Sequence, residues 1–251
     1  MLAFISPAKK MNTINGLSEA PGSTAPRFLP QTEALVQKMQ GMSHDVFKSL
    51  MGLSDKLTAL NQERYANFDK ATTAPAARLF AGDTYVGLDA ETLSETDLVY
   101  AQNHLLILSG LYGLLRPLDQ IKPHRLEMGT KLTTDRGSTL YAFWGNQLAE
   151  ACHDAVAGHK DPTIVYLAST EYSKAVPQEK LTVPFVTCHF KENRDGTPKT
   201  IGLFAKRSRG MMARFMIQER VETVAGLKAF SQDGYAFMPP LSTETDLVFV
   251  R

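Results

Sequence analysis

Residues 105–110 read LLILSG, a continuous apolar run that closes on a small residue and a glycine. An apolar run of this length without alternation is typical of a strand that is buried on both faces of a sheet. Residues 1–6 (MLAFIS) and 163–168 (TIVYLA) have the same character. Three such runs, separated by segments with helical spacing, predict a sheet whose strands alternate with helices.

The rest of the chain predicts helices, a long loop and a late hairpin. An irregular loop is predicted over residues 12–30; helices are predicted from near 32 and over 43–51, 56–67, 91–100, 138–157 and 208–220; and strands are predicted within 76–86, ending in a turn near Gly82, and over 181–190, 200–205 and 247–250. Residues 193–196, NRDG, are a hairpin signal. Because this hairpin interrupts the alternation, we predict an α+β (mixed α/β) fold, a single compact domain over residues 1–251 with a mixed sheet at its core.

Composition and charge exclude several classes of protein. The chain has 251 residues, 43% of them hydrophobic and 21% charged, which is ordinary for a globular protein and excludes wholesale disorder. Lys and Arg number 27 against 26 Asp and Glu, so no basic field covers the whole protein, although a local basic surface fits this balance. Two cysteines are too few for a disulfide scaffold, and no run approaches the ~18 apolar residues of a membrane span. We expect a cytoplasmic protein with no membrane partner.

A candidate phosphate-binding turn lies at residues 50–57, LMGLSDKL. A helix precedes it, Gly52 interrupts it and a second helix follows, as in a helix-hairpin-helix element at about residues 43–67. In such an element the backbone N–H groups that open the second helix face a phosphate, and Lys56 would add a positive charge. An ordinary helix corner with a glycine cap fits the same spacing, and Asp55 stands where a phosphate would approach.

A second candidate is the basic segment from residue 191 to residue 220. It holds eight Lys and Arg against three Asp and Glu. At helical spacing Lys206 and Arg209, which are three residues apart, share one face, while methionines and Phe215 supply the buried side. The segment suits a phosphate ligand, and a solvated basic face is the alternative.

The loops that follow one apolar strand combine cations and carboxylates. Residues 109–119 (SGLYGLLRPLD) and 123–129 (PHRLEMG) follow residue 108, and ligand sites of open sheets lie at the carboxyl ends of strands. Neither segment is a P-loop or a dinucleotide fingerprint, and structural ion pairs explain their charges equally well. Asp83, Glu127 and Glu171 are candidate acids or bases. The six histidines lack metal-ligand spacing, so we expect no metal and no cofactor.

These segments, in this order, resemble the YaaA family of bacterial peroxide-stress proteins. The resemblance lies in residues 5–9, 53–57, 82–88, 108–119, 124–129, 140–144, 167–172 and 205–215, and so extends over nearly the whole chain. The chain departs from the family pattern at His124, where the family has Tyr, and at Thr84, where Val is expected. The resemblance implies a cytosolic protein induced by peroxide that lowers free intracellular iron and limits oxidative DNA damage. It also implies DNA binding through a basic cleft and a helix-hairpin-helix.

The leading hypothesis is DNA binding with little sequence preference. Phosphate contacts would supply the affinity, since no helix is dedicated to reading bases. The candidate DNA-binding residues are Lys9, Gly52, Ser54, Lys56, Arg116, Arg125, Lys206, Arg209 and Arg214. Duplex, damaged or branched DNA is the expected partner.

The rival hypothesis is an enzyme that acts on a nucleobase, a nucleotide or damaged DNA in the same cleft. Lys9 would serve as nucleophile or charge clamp, and Asp83 or Glu171 as acid or base. This hypothesis requires these three residues and Arg125 to converge on one deep pocket, which would hold a small nucleobase-like ligand. An iron-binding protein is disfavoured, because the sequence shows no cluster of metal ligands.

Overall fold

The computed structural model of the protein describes residues 1–13 and 22–251. Its strands are β1 (Leu2–Ile5), β2 (Lys10–Met11), β3 (Ala74–Pro75), β4 (Phe80–Ala81), β5 (Leu105–Ser109), β6 (Gly113–Leu115), β7 (Gln120–Ile121), β8 (Ile164–Tyr166), β9 (Phe185–Arg194), β10 (Thr197–Lys199), β11 (Ala236–Phe237) and β12 (Asp246–Val250). Its α-helices are α1 (Leu29–Gln40), α2 (His44–Met51), α3 (Asp55–Ala66), α4 (Ala76–Leu79), α5 (Asp83–Leu88), α6 (Glu95–His104), α7 (Leu140–Trp144), α8 (Gln147–Val156), α9 (Thr170–Ser173), α10 (Gly202–Gln218) and α11 (Val224–Leu227). The middle of the loop predicted over residues 12–30 lies outside the described residues.

An eight-stranded mixed sheet forms the centre of the fold. Seven strands follow the order β11–β12–β9–β8–β1–β5–β6, and β10 pairs with β9. The five strands from β12 to β5 run parallel, whereas β6, β10 and β11 pair antiparallel to their neighbours. Ala3 of β1 lies opposite Leu105 of β5 on one side and Val165 of β8 on the other. The α+β class predicted from the sequence is confirmed.

The three apolar runs form the buried middle of this sheet. Every residue of β1, β5 and β8 is buried. Because burying one large aliphatic side chain contributes about 2 kcal/mol, strands of this composition are stabilised in the middle of the sheet and not at its edge. The buried apolar residues form one cluster that extends from Met1 to Phe249 and includes the fully buried Trp144.

Two segments predicted as strands differ in the structure. The strand predicted within residues 76–86 is wrong, because α4, the two-residue β4 and the start of α5 occupy that segment. The returning strand of the hairpin ends at Lys199, and α10 begins at Gly202, six residues before the predicted start of that helix. The helix predicted over residues 138–157 is divided into α7 and α8 at Gly145.

Helices α5 and α10 pack closely at two glycines, each of which meets the backbone of the other helix. A Cβ atom at Gly87 would overlap the carbonyl oxygen of Arg207, and a Cβ atom at Gly210 would overlap that of Thr84. The missing side chains let the two backbones approach each other directly. This crossing places the first turn of α5 beside the part of α10 that carries its cations.

Candidate functional site

A cavity of about 330 Å³ opens where three central parallel strands end. The chain passes from β1 to β5 on one side and later to β8 on the other, so β1 marks a topological switch point. The carboxyl ends of strands at such a point are the usual ligand site of an open sheet. A serine at or just beyond the end of each strand lines the cavity: Ser6 after β1, Ser109 in β5 and Ser169 after β8.

Hydrogen bonds join β1, β8 and α5 around the cavity. The Ser169 backbone N–H donates to Oγ of Ser6 at 2.8 Å, and the Tyr85 hydroxyl donates to the carbonyl oxygen of Ser6 at 3.1 Å. Burial raises the pKa of the Tyr85 phenol well above its ordinary value, because desolvation disfavours the phenolate. Tyr85 therefore remains a proton donor and fixes this wall.

Arg125 and Glu127 alternate along the chain with Leu126 and Met128. The leucine and the methionine are buried in the core, and the two charged side chains line the cavity. Arg125 donates from Nε and Nη2 to Glu127 Oε1, at 3.0 and 2.9 Å, and Lys9 Nζ lies 3.2 Å from the same oxygen. Glu127 therefore balances part of the charge of two cations.

Two further carboxylates enter from the first turns of short helices. Glu171, in α9, accepts the Gly129 N–H at Oε1 at 2.9 Å, and the Tyr141 hydroxyl donates to its carbonyl oxygen at 2.8 Å. Asp83, in α5, has no hydrogen bond or ion pair with any described residue. One carboxylate is thus positioned by the backbone, and the other is available as an acceptor.

Helix α10 contributes two cations from one face. Lys206 is exposed and Arg209 is partly buried, three residues further along. Over residues 1–13 and 22–251, neither side chain has a hydrogen bond or an ion pair. Burial lowers the pKa of the Arg209 guanidinium, because desolvation disfavours its charged form. A partly desolvated cation without a counter-charge is costly, so an anion bound at Arg209 would stabilise it.

A buried histidine, His124, forms part of the wall. Its ring lies between those of Phe80 and Tyr112, with centroid distances of 5.9 and 5.1 Å, and Nδ1 lies 2.8 Å from the Lys122 carbonyl oxygen. Burial lowers its pKa to about 4, so the ring is neutral at pH 7.

The charged side chains give the cavity two positive charges in excess. The cations are Lys9, Lys10, Arg125, Lys206 and Arg209, and the carboxylates are Asp83, Glu127 and Glu171. Such a site favours an anion that also carries hydrogen-bond donors, because the cations attract its charge while the carboxylates accept its N–H or O–H groups.

Known proteins are similar to this chain along its whole length. A family model described as peroxide stress protein YaaA matches residues 1–241. The chain belongs to this family. Relatives named UPF0246 protein, from Dinoroseobacter shibae, Magnetococcus marinus and Caulobacter vibrioides, are 49%, 48% and 44% identical to it, and the matches cover 100% of this chain and 95%, 99% and 99% of theirs. The resemblance inferred from the sequence motifs is confirmed.

The structure brings seven of the predicted site residues of this YaaA-family chain into the cavity. They are Lys9, Asp83, Arg125, Glu127, Glu171, Lys206 and Arg209. These residues lie as much as 200 positions apart in the chain and meet because β1, β8, α5 and α10 end or cross at one place. The convergence that the enzyme hypothesis requires is present.

Two predicted phosphate contacts, Arg214 and Arg116, lie elsewhere and are engaged. Arg214 Nη1 donates to the carbonyl oxygens of Leu88 and Asp89, at 3.0 and 2.7 Å, where α5 ends. Arg116 Nε lies 3.4 Å from the buried carboxylate of Asp119, beside a separate depression. The number of cations in the sequence therefore overstates the number available to a ligand.

The predicted helix-hairpin-helix segment also lies outside the cavity. Helix α2 ends at Gly52, which has the left-handed conformation (φ 59°), and α3 follows Ser54. Lys48 Nζ lies 2.7 Å from Asp55 Oδ1, and this hydrogen bond holds the pKa of Asp55 below its usual range. Lys56 is exposed.

Helix α3 connects the α2–α3 turn to the cavity wall. Near its end, the Tyr65 hydroxyl donates to the Arg125 carbonyl oxygen at 3.2 Å. At 1.5 Å per residue, Lys56 stands about 13 Å along the helix axis from Tyr65.

Sequence reasoning missed Lys10 and the three serines of the cavity. The signal for the serines was present, because Ser6 and Ser109 close apolar runs and Ser169 directly follows one. Lys10 carried no signal of its own, since it follows a lysine already selected.

The described residues support neither metal ligation nor thiol chemistry. Among them, no group of three or more His, Cys, Asp or Glu is arranged to hold a metal ion, and no helix has the length and apolar character needed to cross a membrane. Cys152 and Cys188 are buried, and burial raises the pKa of both thiols, that of Cys188 to about 12. Neither is a reactive thiolate at neutral pH.

Proposed function

We propose that this YaaA-family protein is a cytoplasmic DNA-binding protein of the peroxide stress response. It binds duplex phosphates largely without regard to base sequence, at the mouth of the cavity and at the α2–α3 hairpin. The observation that carries this proposal is a set of three cations at the cavity, Lys10, Lys206 and Arg209, that have no partner among the described residues. Unpaired cations of this kind bind phosphate by direct contact and by release of counterions.

The hairpin supplies a second, weaker contact. Ser54 makes no side-chain hydrogen bond to the backbone of α3, so the first N–H groups of that helix are open to a ligand. Lys56 adds one positive charge beside them, and Asp55 subtracts one. We therefore assign the main affinity to the cavity and an orienting role to Gly52, Ser54 and Lys56.

The cellular role in this proposal is the one that the resemblance to the family implies. Peroxide stress proteins of this kind would limit oxidative DNA damage and free intracellular iron. A deletion strain should show more DNA strand breaks and more chelatable iron after peroxide, and a plasmid carrying Arg209→Gln should restore neither.

DNA binding is tested by fluorescence anisotropy of labelled plain, gapped and junction duplexes across a salt series. Arg209→Gln should weaken binding to every duplex by roughly tenfold, because a charge-assisted phosphate contact is lost. It should also reduce the magnitude of the log–log salt slope by about 0.9. Arg214→Gln is the matched control, since this arginine binds backbone carbonyls, and it should leave both quantities unchanged.

The DNA-binding proposal fails if the wild-type protein does not bind duplex at low salt. It also fails in its non-specific form if the variant loses affinity for one base sequence only.

A second candidate function is catalysis on a nucleobase, a nucleotide or damaged DNA. The convergence of Lys9, Asp83 and Glu171 on one cavity favours it. Lys9 would act as nucleophile or charge clamp and a carboxylate as acid or base. Mass spectrometry of oxidised duplex and free nucleotides, incubated with wild type and Asp83→Asn, tests this function. Product that forms with both proteins, or with neither, argues against catalysis by these residues.

A further inference from the structure

The cavity is too small for a duplex and large enough for one small ligand. Its volume of about 330 Å³ lies at the lower end of the range for ligand sites. Aromatic residues, Phe80, Tyr85 and Tyr172, line it together with charged groups. A nucleobase has apolar faces and polar edges, and pockets that read a base outside the helix combine the same two kinds of surface.

Asp83 from α5 and Arg209 from α10 are two of the charged side chains of the cavity that have no partner among the described residues. A carboxylate accepts the N–H groups at the edge of a base, and a guanidinium donates two hydrogen bonds to a phosphate. The glycine contact between α5 and α10 fixes the two helices against each other. One nucleotide can therefore engage both groups.

The first turns of helix α10 carry an exposed leucine outside the cavity, followed by two cations that line it. Leu203, Lys206 and Arg209 are spaced three residues apart, so each lies one turn from the next. Leu203 is 58% exposed in the first turn, Lys206 is exposed at the rim, and Arg209 is partly buried inside. A single exposed leucine is ordinary, but this one lies about one turn from Lys206, a cation of the cavity that has no partner among the described residues. Apolar side chains in such a position enter the stack of a duplex between base steps.

We propose that one nucleotide rotates out of the bound duplex into this cavity, with its base against Tyr85, its phosphate on Arg209 and Leu203 in the gap left in the stack. The inference rests on the proposed function, because the duplex must first be bound. Rotation of a nucleotide costs least where the base is mismatched or damaged, so the protein should select such positions. The class of ligand is therefore an unpaired or damaged nucleotide within duplex DNA.

The experiment uses duplexes that contain 2-aminopurine, whose fluorescence rises when the base leaves the stack, in a paired and in a mismatched position. Anisotropy of an end label on the same duplexes measures binding independently. We expect emission to rise several-fold on saturation with wild type, and the unstacked base to be protected from acrylamide, because the cavity encloses it. The mismatched duplex should bind roughly tenfold more tightly than the paired one.

Three variants separate the parts of the inference. Leu203→Ala should lower the rise in emission by at least half and leave the salt slope unchanged. Leu241→Ala, at an exposed leucine outside helix α10, should change neither quantity. Asp83→Asn should lose the protection from acrylamide, because the cavity then lacks the carboxylate that accepts the N–H groups of the base.

The outcomes distinguish this inference from the proposed function. Anisotropy that shows binding without any rise in 2-aminopurine emission overturns extrusion and leaves DNA binding intact. A rise in emission without protection from acrylamide also overturns it, because the base then leaves the stack without entering the cavity. If a free 2-aminopurine nucleotide saturates the cavity while duplex emission stays flat, the cavity is a site for free nucleotides and the inference is wrong. Absence of any DNA binding overturns the proposed function and this inference together.

Discussion

The α2–α3 hairpin and the α5–α10 cavity are both candidate phosphate sites, and they differ in where their charges are balanced. The hairpin consists of contiguous residues, and its Asp55 is paired with Lys48 at 2.7 Å within the motif itself. The cavity is assembled from distant segments, and Lys206 and Arg209 have no partner among the described residues. A motif that is easy to find in a sequence can thus be neutralised locally, whereas a site built by the fold can keep unpaired charge.

The comparison also shows that cations on one helix can have opposite roles. Arg209 faces the cavity and lacks a partner, while Arg214 of the same helix caps the carbonyl end of α5. The first is available to a ligand and the second stabilises the helix crossing. Position relative to α5, and not charge or spacing in the sequence, separates these roles.

The largest effect on stability is expected from placing a side chain between the two helices that line the cavity. Gly210→Ala should lower the free energy of unfolding by about 3 kcal/mol or more, because the new Cβ atom would overlap the Thr84 carbonyl oxygen. Helix propensity alone would change stability in the opposite direction. Urea denaturation at constant m-value measures the difference.

Gly202→Ala is the matched control for that substitution. Gly202 opens the same helix, and a Cβ atom there meets nothing within 4 Å. The urea midpoint of the Gly202→Ala variant should equal that of wild type or exceed it. Equal midpoints for the Gly210 variant and wild type would show that the crossing is not as close as described, and the account of how the cavity forms would be wrong.

A smaller effect on the free energy of unfolding is expected when the pH is lowered. We expect it to arise from a histidine of the cavity wall and not from the hairpin. The pKa of buried His124 is lowered to about 4 in the folded protein, so the unfolded chain takes up the proton first as pH falls. The contribution of neutral His124 to the free energy of unfolding is complete above pH 6.5. It is lost as the pH falls from 6.5 to 4, by about 3 kcal/mol at most. We call the fall in the free energy of unfolding between pH 6.5 and pH 4 the acid limb. Denaturant unfolding at several pH values should show a flatter acid limb for His124→Phe than for wild type.

His44→Gln, at an exposed histidine of the hairpin, is the control for that titration and should leave the limb in place. His159 also has its pKa lowered to about 4 by burial, so His159→Gln should remove a separate part of the slope. A limb that persists unchanged in His124→Phe would assign acid sensitivity to the region around His159.

The smallest effect is expected on DNA affinity when the Asp55 carboxylate of the hairpin is neutralised. Asp55→Asn should raise duplex affinity by roughly two- to fivefold, the size of one exposed charge interaction, because phosphate no longer meets a negative charge at the start of α3. Asp45→Asn, in the first turn of α2, serves as the control in the same anisotropy assay and should change affinity less. Unchanged or weaker affinity for Asp55→Asn would exclude the hairpin from the DNA surface.

Elements with a strong local signal could be predicted from the sequence. Strands β1, β5, β8 and β12 follow from continuous apolar runs, and α2 and α3 follow from helical spacing on either side of Gly52. The failures lie where tertiary contact overrides propensity. Gly87 weakens the helical signal of α5 and Gly210 that of α10, although each glycine is needed for the contact between these two helices.

The candidate site could be predicted in part. Residues that follow apolar strands, such as Glu171, were found because ligand sites collect at strand ends. Arg116 and Arg214 were selected for charge alone, and whether a cation is free depends on carbonyls and carboxylates that the fold brings near it. No spacing rule contains that information.

The sequence by itself determined the class of fold, the family and the segments that carry chemistry, because apolar periodicity and ordered motifs are local properties of the chain. The tertiary structure alone decided that seven predicted site residues share one cavity, that the hairpin lies apart from it, and that the Arg209 side chain has no partner among the described residues while Arg214 is engaged. The physical reason is that a charged group acts according to its distance from other charges and to its burial. Both quantities are set by strand order and by the crossing of two helices at a pair of glycines.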